Sequence, residues 1–111
     1  MSGSSGSSSR DDYPSYSDSC DTLEFDTQLA SPKEDVIAQF GEGDVLEVAF
    51  DQQHGQAIVY ALWRGQIAGG IASQQVQRLR QCLTEGTMYS ARVISKQGGQ
   101  VRVRVFPLPR L

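Results

Sequence analysis

A mainly β, α+β domain is what this sequence predicts: a small curled antiparallel sheet or partly open β-barrel with two helices, in the order β-α-β-β-β-α-β-β. Three observations lead there. Short segments alternate apolar and polar residues with period two, and tight-turn residues separate them. Only two stretches, near 31–41 and 73–85, space their apolar residues three or four apart, too few for the crossovers of a parallel sheet.

Residues 1–21 read as a disordered Ser/Gly/Asp-rich tail, and residues 22–111 as a single β-rich domain. The tail's few apolar side chains, among them Tyr13, Pro14 and Tyr16, bury too little surface to offset the entropy of ordering it. Order is expected from about Thr22.

The first strand covers residues 23–29, where Leu23, Phe25, Thr27 and Leu29 alternate with Glu24, Asp26 and Gln28. Ser31-Pro32-Lys33-Glu34 then reads as a helix start. Ser31 caps a backbone N–H, Pro32 suits the first helical position, and Glu34 completes a capping box. Val36, Ile37 and Phe40 form the apolar face of that helix, expected to run about two and a half turns, with Gly41 as its left-handed stop.

The second strand, residues 45–51, turns Leu46, Val48 and Phe50 inward and Glu47 and Asp51 outward. A polar turn over residues 52–56 contains His54. Residues 57–63 are more continuously apolar and fit a central strand. Arg64, Gly65 and Gln66 turn the chain into a short strand over 67–72, whose Gly69 and Gly70 signal a bend, a bulge or close backbone approach. Ser73 caps a second helix running to about Glu85. Its stripe is Val76, Leu79, Cys82 and Leu83, and Gly86 is its stop. A hairpin closes the chain: residues 87–95, a turn with Gly98-Gly99, and the alternating residues 101–105. Pro107 and Pro109 keep the last segment out of a sheet interior.

Several function classes are excluded or disfavoured. One His and two distant Cys cannot supply a four-ligand Cys/His zinc site. His54 is the only imidazole able to serve a nucleophile and lies in a polar turn, while Cys82 reads as core packing. Asp26, Asp44 and Asp51 have no spacing signature for acid–base work, and Gly41-Glu42-Gly43 precedes a strand rather than an anion-binding helix. No enzyme activity and no cofactor are expected. No stretch is apolar for the roughly 18 residues a bilayer crossing needs, so no membrane role is expected. Two cysteines are fewer than disulfide-stapled secreted domains carry, which points to a reducing, cytoplasmic setting with a reactive Cys20 and a shielded Cys82.

The net charge of −3 conceals a separation along the chain. Residues 1–54 hold twelve Asp/Glu against Arg10 and Lys33, and residues 55–111 hold Glu85 against eight Lys/Arg. Such asymmetry marks either a basic interaction surface or acidic and basic strands that neighbour one another. With Val101, Val103 and Val105 inward, Arg102 and Arg104 face out, and Arg92 joins them from the paired strand. With Lys96 near the turn they form a candidate phosphate-contacting face. Trp63, Phe106 and Tyr60 are the aromatics available for base stacking. The competing reading pairs these arginines with Glu24, Asp26 and Glu47.

Gly43-Asp44-Val45-Leu46-Glu47-Val48, Ala57-Ile58-Val59, Gly65-Gln66-Ile67-Ala68-Gly69-Gly70-Ile71 and Gly86-Thr87-Met88-Tyr89-Ser90-Ala91-Arg92-Val93, with the helix between them, resemble the HIRAN domain over about residues 43–105. That resemblance implies a small β-barrel and binding to DNA ends or single strands. Where that family tends to carry a Tyr-Asp pair and a Gly-Tyr step, this chain has Gln53-His54 and Gly69-Gly70, without the rings. The expected function is a non-catalytic binding module contacting single-stranded or end-frayed nucleic acid through Arg92, Lys96, Arg102 and Arg104. The alternative is a protein-interaction domain using a sheet edge or the helix bearing Arg78 and Arg80.

Overall fold

A computed structural model describes residues 20–53 and 56–109. The tail over residues 1–19 and His54 lie outside that range, as do the last two residues. Six antiparallel strands form one curled half-barrel: β1 (Phe25–Gln28), β2 (Val45–Gln53), β3 (Gln56–Trp63), β4 (Gln66–Gly70), β5 (Tyr89–Gln97) and β6 (Gln100–Pro107), in spatial order β1-β6-β5-β2-β3-β4. Helix α1 (Glu34–Ile37) follows β1 and α2 (Val76–Thr84) follows β4; residues 20–22 add a helical turn. The mainly β, curled antiparallel fold expected from the alternation is the fold observed.

Alternation sets the two faces. Leu46, Val48, Val59, Ala61, Ala91, Val93, Val101, Val103 and Val105 fill the interior with Leu79 and Cys82 of α2. The ends of the sheet approach each other where Ala30, just past β1, exchanges two backbone hydrogen bonds with Gly70 of β4, at 2.9 and 2.8 Å. That meeting explains Gly69: a Cβ there would lie 3.1 Å from both the Ala30 oxygen and the Leu29 Cβ. The close backbone approach expected at this glycine pair is thus present. The bulge is present too, because the β3–β4 register slips between Ala61 and Leu62 and leaves Ala68 as the extra residue.

The same contact overrides the local helix-start signal. With Ala30 held against Gly70 and the Lys33 N–H donated to Ala68 C=O, the chain must turn sharply between them. Ser31 takes φ +47°, Lys33 becomes the N-cap, and no side chain caps the helix. Helix α1 is one turn of four residues instead of two and a half turns. Val36, Ile37 and Phe40 are nevertheless buried. The expected stop at Gly41 is also displaced. Asp44 accepts the Gly41 N–H at 2.9 Å and returns its own N–H to Gly41 C=O, and the left-handed residue is Gly43, at φ +91°.

Helix α2 follows its signals more closely. Ser73 Oγ accepts the Gln75 N–H at 2.9 Å, although the helix proper begins at Val76. At its end Gly86, at φ +106°, donates to Leu83 C=O while Thr87 donates to Cys82 C=O, the paired bonds of a Schellman stop. The final hairpin turns on Gly98 and Gly99, both at positive φ as a two-residue hairpin loop demands. Pro107 is the last residue of β6, opposite Tyr89 and past Val105, where β1 ceases to pair with β6. The missing N–H therefore falls where the strand has a neighbour on one side only.

Cysteine chemistry departs from expectation. Cys20 and Cys82 form a disulfide with Cα atoms 5.5 Å apart, and both are buried. Neither is a free thiol, so the reactive Cys20 and the unbonded Cys82 are corrected. The bond ties the segment before β1 to α2, and the buried Tyr89 hydroxyl donates to Cys20 C=O at 2.6 Å beside it. The two cysteines are 62 positions apart in the sequence, so only the folded chain brings them together.

Candidate interaction surfaces

The basic hairpin face is the surface that the sequence nominates. Arg92, Arg102 and Arg104 do lie exposed on the outer side of β5 and β6, with Arg92 directly across from Arg104. Two guanidiniums placed opposite each other repel, and β1 supplies the compensation. Its register sets Asp26 across from Arg104 on the other side of β6. Arg104 Nε donates to Asp26 Oδ1 at 2.7 Å and its Nη2 to Oδ2 at 3.1 Å, a bidentate pair, with a Glu24 oxygen 4.0 Å from Nε. The hydrogen bond from Arg104 holds the Asp26 carboxyl below its ordinary value, against the opposing effect of burial.

The remaining residues of that set divide. Arg92 lies 5.8 Å from the centre of the Phe106 ring and reaches Gly43 C=O at 3.4 Å. Arg102 stands across from Gln28 and Ser95. Lys96 is not on this face. The β5–β6 register slips between Val93 and Ser95, leaving Ile94 as the extra residue, so that Lys96 pairs with the buried Val101. Its ammonium donates to Ile37 C=O, the last of α1, at 2.8 Å and to Phe40 C=O, in the segment that follows, at 2.6 Å. Lys96 thus serves these carbonyls and stands apart from Arg92, Arg102 and Arg104. The aromatics Trp63, Tyr60 and Phe106 are all half-buried. Trp63 packs against the core with its ring 5.4 Å from that of Phe40, while Phe106 is half-buried under Arg92.

A second surface had no sequence signal. Strand β2 is longer than its contact with β5, which ends at the Glu47–Ser90 pair. Beyond it the β5 side turns away: Met88 leaves the β2 edge and its C=O accepts the Leu108 N–H at 2.8 Å. Between the two lies a groove of about 540 Å³, lined on one side by Glu47, Val48, Ala49 and Phe50 and on the other by Leu83, Met88 and Leu108. Met88 is 65 % exposed, the most exposed of the large apolar side chains described. Asp44 C=O accepts from Val93 N–H, and alternation carries the backbone groups of Leu46, Val48, Phe50 and Gln52 to that same edge. Among the described residues no strand pairs with β2 at Phe50 and Gln52 on that side.

Among the described residues no group of three or more His, Cys, Asp or Glu is placed to hold a metal ion, and no helix is long and apolar enough to cross a membrane. Comparison with protein-family models, curated proteins and solved structures finds no match to this chain.

Proposed function

We propose that this domain is a non-catalytic protein-binding module that takes a polypeptide in the groove between β2 and the Met88–Leu108 contact. The observation that carries this reading is the groove itself: apolar, half-open, and bounded by a stretch of β2 edge that no strand among the described residues pairs with. The nucleic-acid reading is weakened by its own residues. Arg104 is engaged by Asp26 and Glu24, Lys96 caps α1, and the face retains Arg92 and Arg102 beside two carboxylates. Such a face offers little of the counterion release that drives phosphate binding.

The HIRAN resemblance fits a small curled sheet, and its DNA-binding corollary rests on the sequence motifs alone. The Cys20–Cys82 disulfide speaks against the reducing, cytoplasmic setting suggested by the cysteine count and for an oxidising compartment, where such bonds persist.

Selection of a random displayed-peptide library on the immobilised domain tests the reading. Peptides should be recovered whose binding is lost in Met88→Asp, while a fluorescent single-stranded oligonucleotide remains unbound at low ionic strength. Oligonucleotide binding that falls with salt and with the Arg102→Ser/Arg104→Ser double change would replace this reading with the nucleic-acid one.

A further inference from the structure

We infer that the groove captures an extended segment carrying Lys or Arg by strand addition to the open edge of β2, a mode and ligand chemistry that rest on the protein-binding reading above. Three observations join. First, the backbone N–H and C=O of Phe50 and Gln52 point away from β3, because the odd residues of β2 face β3: the Gln53–Gln56 pair closes the hairpin, and Asp51 and Ala49 pair with Ile58 and Tyr60. An incoming strand would extend a sheet whose register is already set on its other side.

Second, the walls are apolar where side chains of a bound strand would enter. Phe50 is half-buried, and Leu83 and Leu108 stand opposite it with the exposed Met88. Alternate residues of the segment would insert there while the others face solvent. Third, the charge of the rim is negative. Among the described residues Glu47 is the only charged one in the lining, Asp51 is next to Phe50 on β2, and Glu85 precedes the lining Gly86; all three are exposed. The arginines of α2, Arg78 and Arg80, lie on earlier turns than Leu83 and line no part of the groove. An acidic rim around an apolar floor selects an occupant whose outward positions are basic.

The probe is an acetylated, amidated peptide of alternating Lys and Val, eight residues long, with its Glu–Val counterpart as the charge control. Binding is measured by calorimetry on the full chain. The Lys–Val peptide should bind, the Glu–Val peptide should not, and Glu47→Gln/Asp51→Asn should weaken the complex. The decisive variant is Gln52→Pro. It deletes an N–H that faces the open edge and leaves the ladder to β3 intact, a position at which an edge strand tolerates proline. Losing one backbone bond and blocking strand approach should cost roughly tenfold or more in affinity. Amide spectra of the variant should otherwise match the parent.

Equal binding by Gln52→Pro and wild type, with loss in Met88→Asp, would overturn strand addition while leaving the groove as a protein site. Equal binding of the two peptides would overturn the basic occupant. Absence of binding by the Lys–Val peptide, while library-selected peptides bind, would overturn the inference and spare the broader reading. Failure of both peptide sources would end both.

Discussion

Removing the Lys96 ammonium should loosen α1 and the segment after it, because that single group serves the carbonyl of Ile37 at the helix end and that of Phe40 just beyond. Lys96→Met keeps the stem and deletes both charge-assisted bonds, so urea unfolding should show a loss of about 1.5–3 kcal/mol, with peptide binding at the β2 groove unchanged. Gly69→Ala should also destabilise, by about 1–3 kcal/mol, since its methyl would crowd the Ala30 carbonyl and the Leu29 Cβ where the sheet ends meet. The Asp26–Arg104 pair is a different matter. It is exposed, with half of the Arg104 side chain accessible, so it adds little stability. Its sign is still testable. A carboxyl depressed by folding stabilises at pH values above its unfolded value and loses that contribution as pH falls through the folded one. Arg104→Gln should therefore raise the Asp26 titration midpoint toward the ordinary 3.8, read from its carboxyl carbon by NMR, and leave stability at neutral pH nearly unchanged.

At the scale of elements, the disulfide fastens the segment leading into the edge strand β1 to α2. Closing a loop with a sequence separation of 62 residues removes unfolded-state entropy equivalent to about 4 kcal/mol. The double change Cys20→Ser/Cys82→Ser should lower stability by about 2–4 kcal/mol in denaturant unfolding. In the parent protein no thiol should react with a maleimide until a reductant is added; ready labelling of Cys20 in the native, unreduced protein would contradict the bond. The elements themselves are largely legible in the sequence. Alternation located β1, β2, β5 and β6 and their inward faces, because period-two patterning directly records which face meets the core. The stop at Gly86 was legible because a Schellman motif is built from residues adjacent in sequence. The cap at Ser31 was misread for the opposite reason: its local preference was overruled by backbone bonds to β4, some forty residues downstream, between Ala30 and Gly70 and between Lys33 and Ala68.

For the whole molecule, the separation of acidic and basic halves along the chain becomes neighbouring strands in the fold. Strand β1 carries Asp26 to Arg104, and the expected phosphate-binding face becomes a mixed one. Binding of a single-stranded oligonucleotide should accordingly be undetectable by fluorescence anisotropy at low salt, and Arg102→Ser should not alter that result. Steep, salt-sensitive binding would show that Arg92 and Arg102 suffice.

By itself the sequence determined the β-rich class, the order of elements, the core valines, the outward arginines and the glycine turns. Each of these is written in residues near one another, through periodicity and backbone preference. Tertiary structure alone decided four things: the Cys20–Cys82 bond, the Asp26–Arg104 pair, the conversion of Lys96 into a helix cap and the open edge of β2. The first two join residues far apart in the chain, whose meeting depends on strand order. The third depends on one extra residue in β5, which inverts the side of the sheet that every later side chain of that strand faces. The fourth arises where one strand outlasts its neighbour, a mismatch of lengths that no single segment records.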